Sequence, residues 1–471
     1  MTEGGRPTSP GVIRPQGRVA VAMLAGSLIF VEFLGGMQRY LSQTVLPLVA
    51  VELEGSHLYG PLDAAAQAPT FLMMPIGAWL LSRYRVGRLM LVFTAVTVIG
   101  AVMCAAAPGM GVFIAGTVVR AIAGGALATI GMGAISRGLP PRHRQLVLAG
   151  MSGIWLFSSV LGPVYAVVAS QALGWRWAMV LYLPLLLVAR GLIARYMPER
   201  TDEVPEERAP WAWSVALATG SAVIALPLGG WSAVAVVAGA LLMLRAAAAV
   251  LPEGTFRASS GRRAALTALT VTTGVYFGAT MVLSVVAHDV FGLPTGRFGY
   301  VIAAPGFAWA VAALWTGSHP ASQSAAFRRR MLLAGGAVTC GVAGLLMTAW
   351  LLPGAPSAFV GLLVGAALMG LGMGMLYPDL LGRCLARPET DDGISDDRMA
   401  AAVVIAESVG LAIATTAAFS WLGTGLGLVD DPTRRAQVLY LALLALAVVM
   451  LGRLAAAARA EPVRPSVDRV R

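Results

Sequence analysis

The chain has 471 residues, of which 58% are hydrophobic and 12% charged. Soluble domains carry about 25% charged residues, so the composition excludes a soluble globular protein and indicates a polytopic membrane protein. The formal charge of +11 points to no nucleic-acid partner, because the arginines recur between apolar runs instead of gathering on one surface.

All 34 basic residues are arginine, which suits a GC-rich bacterial coding sequence. Residues 1–18, with Arg6, Arg14 and Arg18 among Pro and Gly, read as a cytoplasmic tail. No cleavable leader is expected, since the first apolar run is too long and offers no small-residue cleavage site. A spanning helix needs about 20 mostly apolar residues. Fourteen runs meet or nearly meet that length: Val19–Val49, Leu62–Leu81, Leu89–Ala107, Gly111–Ser136, Leu146–Ala169, Trp177–Ile193, Trp211–Leu228, Trp231–Val250, Ala264–His288, Phe298–Trp315, Met331–Leu352, Ala358–Leu381, Met399–Leu422 and Val438–Leu454. With both termini inside, the cytoplasmic segments hold Arg83, Arg85, Arg88, Arg137, Arg142, Arg144, Arg257, Arg262, Arg263, Arg328, Arg329, Arg330, Arg383, Arg387 and Arg398. The other side keeps only Arg176, Arg297, Arg434 and Arg435. This is the positive-inside pattern, and it predicts an N-in, C-in topology.

Two linkers divide the spans. Residues 196–210, YMPERTDEVPEERAP, are acidic and Pro-bearing, and residues 252–263 form the second. The expected architecture is an all-α polytopic protein with a six-helix bundle at 19–195 and a cytoplasmic linker at 196–210. An extra helix pair at 211–251 and a linker at 252–263 follow, then a second six-helix bundle at 264–456 and a cytoplasmic tail at 457–471. Transporters built from two halves place their site at the interface near the bilayer midplane.

The first span interrupts its apolar run with Glu32, Gln38, Arg39 and Gln43. An ionised group at the bilayer centre costs roughly 2.5–3.5 kcal/mol even on the lenient insertion scale, so such residues face a protein interior or a watery cavity. Glu32 lies about 20 Å along the helix at 1.5 Å per residue, which makes it the first candidate for a proton-carrying carboxylate. Arg39, seven residues on, shares its face; an anion ligand, an outer gate and a structural donor all suit it. Glu407, deep in the thirteenth span, is a second pathway acid. Gln38, Arg39, Gln43 and Trp155, with His288 and Asp289 at the outer end of the ninth span, are the candidate cavity residues. Asp379 stands four residues before Arg383, the spacing of an i,i+4 ion pair. Asp63, in the first turns of the second span, suits a helix-dipole partner. Gly361 and Gly365, then Gly370, Gly372 and Gly374, are the small residues that let helix backbones approach. Cys104, Cys340 and Cys384 fall in separate runs without metal spacing. Phosphate-binding loops, HExxH and GxSxG are absent, so no enzyme, cofactor or metal is expected.

Local motifs add a resemblance. Arg120-Ala-Ile-Ala-Gly124-Gly125-Ala126 resembles the fourth-helix signature of the major facilitator superfamily, and Leu161-Gly162-Pro163 the core of its antiporter motif. Gly174-Trp175-Arg176-Trp177, leading to Tyr182-Leu183-Pro184, and the Leu46-Pro47 pair resemble the fourteen-helix drug:proton antiporter branch. The loop from Gly77 to Arg88, with Arg83 and Gly87, lacks the Asp usual there; Gln38 stands where the first-helix motif has Asp, and Ala166-Val167 replaces a Gly pair. The resemblance implies proton-coupled export of an amphipathic or hydrophobic organic compound by alternating access, from a monomer in a bacterial cytoplasmic membrane. Its partners would be the solute, protons and lipid. The resemblance also implies a charge relation between Glu32 and Arg120, with Glu32 in place of the missing acid. Gly77, Arg83, Gly87, Arg88, Gly124, Gly162 and Pro163 would carry the conformational motifs. Alternatives are a lipid, siderophore or organic-anion carrier, favoured if Arg39 and Arg120 line the pocket, or a membrane ligand sensor that transports nothing.

Overall fold

The structure, a computed structural model, describes residues 18–139, 141–197, 211–319, 321, 324–352, 357–385, 394 and 396–459. Most of both expected tails and of the first linker fall outside them. A chain in lipid must satisfy its backbone polar groups internally, and among the described residues the chain is helical with no strand. The helices are α1 (Arg18–Glu52), α2 (Tyr59–Arg83), α3 (Val86–Ala105), α4 (Met110–Gly138), α5 (Pro141–Leu173), α6 (Trp175–Tyr196) and α7 (Trp211–Ile224). They continue as α8 (Ser232–Val250), α9 (Gly261–Val290), α10 (Thr295–Ser318), α11 (Ser324–Leu351), α12 (Ala358–Leu385), α13 (Asp396–Thr424) and α14 (Pro432–Ala457). By length and composition, 12 helices among the described residues can cross a bilayer. Two apolar stretches are shorter: Leu161–Leu173 in α5, and α7.

Local chemistry fixes several ends. Gly174 adopts φ +82°, a conformation that favours glycine, and turns α5 directly into the Trp-Arg-Trp segment. There Arg176 reaches Glu52 at 2.8 Å and the carbonyls of Ala105 and Ala107 at 3.0 and 2.8 Å. One side chain thereby ties the end of α1 to the turn between α3 and α4. At α14, Pro432 occupies the first turn and Asp431 accepts from the amides of Thr433 and Arg434, satisfying donors that a helix start leaves open.

The same packing scheme appears twice. α2 packs on α4, and α3 on α4 and α6, while α1 packs on α5; correspondingly α10 and α11 pack on α12, and α9 on α13 and α14. Glycine makes these approaches possible. On α12 a Cβ at Gly370 or Gly374 would strike the backbone of α10 at Pro305 and Trp309, and one at Gly372 would meet the Ala334 carbonyl of α11 at 2.6 Å. α7 and α8 pack on each other, α7 against α2 and α8 against α13. That pair therefore lies outside the seam where α2 meets α13; the second seam joins α5 to α10.

Candidate functional site

A cavity of about 530 Å³ lies between α1–α6 and α9–α14. α1 turns one stripe toward it, including Val31, Gly35, Gln38, Arg39, Ser42 and Gln43, the three-to-four-residue spacing of a single helix face. α2 adds Tyr59, Asp63 and Gln67, α4 adds Arg120 and Gly124, α6 adds Tyr182 and Arg190, and α9 and α13 add Met281, Leu411 and Thr415. Gly124 has open space where a side chain would stand, so it widens the chamber.

The described hydrogen bonds between the two sets of helices all lie toward the end marked by Glu52. Gln43 Nε2 donates to the Thr280 carbonyl at 2.6 Å, and the Tyr59 hydroxyl donates to Asp289 at 3.0 Å. Asp63 accepts from the hydroxyls of Thr416 at 2.7 Å and Thr415 at 3.2 Å. A Cβ at Gly60 would strike Ser420, and one at Gly299 would meet Val167 at 2.6 Å. Both seams are thus closed at this end. Asp63 is a correction to the sequence reading: it is a half-buried bridge between α2 and α13, not a helix-dipole partner. Its partners lie 352 and 353 positions away, beyond any local pattern.

The candidate residues separate in space. Gln38, Arg39 and Gln43 line the cavity, as does Arg120. Gln38 is buried, and neither polar atom of its amide finds a partner among the described residues. Arg120 interacts with Tyr182 and Cys104, not with Glu32; the expected Glu32–Arg120 pair is not formed in this conformation. Glu32 is half-buried and engaged, but is not among the lining residues. Glu407 stands one turn of α13 from the lining residue Leu411. It accepts from the Tyr377 hydroxyl at 2.9 Å and lies within electrostatic reach of Arg39. Tyr377 belongs to an aromatic cluster with Trp309 and Tyr276, at centroid separations of 5.4 and 5.1 Å.

His288 and Asp289 contact each other at 2.8 Å in a π-helical turn ending α9, and reach the cavity only through Tyr59. The side chain of Trp155 lies outside those described. Asp379 pairs with Arg330 of α11 at 3.0 Å instead of Arg383, which donates to the Arg459 carbonyl at 3.2 Å. Spacing four apart permits a pair, but a guanidinium from a neighbouring helix reaches the carboxylate instead.

The motif glycines are contact points. A Cβ at Gly77 would meet the Ala126 backbone at 2.9 Å, one at Gly87 the Ala194 carbonyl at 2.9 Å, and one at Gly162 the Tyr40 side chain at 2.7 Å. Pro163, beside Gly162, is accommodated within α5. Arg83 stacks over Trp79 at 4.5 Å, and Arg88 is exposed. Sequence reading also missed Arg190 as a cavity residue. Its guanidinium donates to Thr94 at 3.3 Å and Thr97 at 3.4 Å, and its depth in an otherwise apolar run was the available signal.

A sequence profile of the Major Facilitator Superfamily matches residues 28–384. The chain is 25% identical over 195 residues to "Efflux pump dotC" of Dothistroma septosporum, covering 41% of this chain and 33% of that pump. It thus spans about a third of the length of that relative. To "Probable multidrug-efflux transporter Rv1634" of Mycobacterium tuberculosis (strain ATCC 25618 / H37Rv) it is 29% identical over 411 residues, covering 79% of this chain and 80% of the relative. In fold it is similar to a crystallised POT family transporter in complex with 5-aminolevulinic acid. The TM-score is 0.64 at 13% identity, covering 91% of this chain and 95% of that one. With the profile matched over most of its length, this chain belongs to the Major Facilitator Superfamily.

Proposed function

We propose that the chain is a secondary active transporter of a bacterial cytoplasmic membrane that exports an amphipathic or hydrophobic organic compound in exchange for protons. The observation that carries this reading is the chamber walled by α1, α2, α4 and α6 on one side and α9 and α13 on the other, closed at its Glu52 end. A site between two helical halves that seal at one end is what alternating access requires. The arginine distribution supports fourteen crossings with both termini cytoplasmic, the bundles being 19–195 and 264–456. In that topology the closed end is external and the chamber faces the cytoplasm.

Proton carriage is assigned to Glu407 and Glu32. Each is a carboxylate in a spanning helix, where the charged form is costly unless solvated or paired. Glu407 has Arg39 nearby and Tyr377 as donor, so movement of α1 against α13 would change how strongly its charge is held. The efflux-transporter names of the relatives favour organic solutes over ions or sugars. The test is a compound screen in inverted membrane vesicles energised by respiration. Addition of a transported compound is expected to dissipate the pH gradient in vesicles carrying the protein and not in those lacking it. A broad panel that never perturbs the gradient would reject the reading.

A further inference from the structure

Charge in the chamber is unbalanced. Arg39, Arg120 and Arg190 line it, and Asp63 is the one carboxylate among its lining residues. Asp63 is engaged with the α13 hydroxyls, and Arg39 has Glu407 within reach. Arg120 and Arg190 differ from Arg39 in having only neutral partners among the described residues: Tyr182 and Cys104 for Arg120, Thr94 and Thr97 for Arg190. Tyr182 lies within electrostatic range of both guanidiniums, and all three side chains line the same chamber. Among the described residues the Arg190 Nε has no hydrogen-bond partner, nor has either polar atom of the Gln38 amide, on a residue only 8% exposed.

Depth brings these groups to one level. Counted from the Glu52 end at 1.5 Å per residue, Arg120 lies about 15 Å into α4, and Gln38 and Arg190 about 20 Å into α1 and α6. Two uncompensated cations and an unsatisfied amide at mid-membrane are costly unless something completes them. Guanidinium and amide donors together match an oxyanion, with charge-assisted and bidentate hydrogen bonds available from each arginine. The neighbouring wall is apolar, at Leu34, Leu127 and Leu186.

Resting on the transporter reading above, we infer that the carried compound is an amphipathic organic anion. Its carboxylate or sulfonate binds between Arg120 and Arg190 with Gln38 donating from α1, and its apolar body lies against the leucines.

The test uses the full chain in lipid nanodiscs and a matched set of dansyl-tagged alkyl probes: carboxylate, sulfonate, methyl ester and trimethylammonium, in several chain lengths. The carboxylate and sulfonate are expected to bind about tenfold or more tighter than the ester and the ammonium, after subtraction of empty nanodiscs. Arg120→Gln and Arg190→Gln should each reduce that preference to about twofold or less, while the Lys variants retain part of it. Gln38→Leu should weaken the carboxylate and leave the ester unchanged. Because the wild-type charge series decides by itself, a variant that fails to fold does not remove the test. Equal or tighter binding of the ester or ammonium, absence of carboxylate binding at every chain length, or full preference in well-folded Gln variants would overturn the anion site. A neutral or cationic dye carried by a pH gradient without carboxylate preference would overturn it too, and leave the exporter reading standing. Carboxylate preference without flux of any probe would uphold the site and reject export.

Discussion

At Asp63 one carboxylate joins α2 to α13 through two threonine hydroxyls. Hydrogen bonds to a charged group contribute roughly 1.5–3 kcal/mol, so Asp63→Asn should loosen the closed end. In a background without native cysteines, a Cys at the buried position Leu62 should then react several-fold faster with an impermeant maleimide applied from the Glu52 side; unchanged labelling would contradict the bridge. Glu407→Gln keeps a hydrogen-bond partner for Tyr377 but cannot exchange a proton. Its gradient-driven export should fall to the level of vesicles lacking the protein, and Glu32→Gln should behave alike. Whichever variant keeps wild-type rates leaves the proton route. Acid and arginine depth were legible from sequence, because charge in an apolar run is conspicuous. Partnership was not. Arg120 turned out to face Tyr182, Asp379 to face Arg330, and Asp63 to face Thr415 and Thr416, pairings set by tertiary approach and invisible to spacing along one helix.

Helices were the best-read level of this molecule. Long apolar runs announce spans because backbone polar groups have no water to turn to, and α3, α9 and α12 fall close to their predicted bounds. Less legible was the seating of one helix on another, which depends on which glycines face a neighbour. Gly410 and Gly336 separate the two cases. A Cβ at Gly410 would strike the Thr270 carbonyl of α9, whereas one at Gly336 meets nothing within 4 Å. Gly410→Val should therefore cost about 1–3 kcal/mol by overpacking and lower the thermal midpoint of the purified protein. Gly336→Ala should leave it unchanged or raise it, since Gly in a helix interior is about 1 kcal/mol less favourable than Ala. Equal midpoints for the two variants would refute this account of the packing.

At the scale of the whole molecule, the proposed transport cycle makes this conformation one of two. Hydrogen bonds donated by Gln43 and Tyr59 and accepted by Asp63 hold the halves together at the Glu52 end, and the alternating access proposed above requires that this set break while the opposite end closes. The pair α7–α8 packs beside the α2–α13 seam. Linkers and arginine placement led the sequence reading to expect two halves; the direction in which the proposed chamber stands open was not readable there, because a chain that alternates between two states encodes both. Pulsed electron resonance between spin labels reports this most directly. One pair goes at the exposed positions His57 and Leu428, and the other at Arg88 and Arg329. The account predicts two populations whose distances change in opposite senses at the two ends when pH is lowered or a transported compound is added. A single distance at each end, unmoved by either, would contradict it.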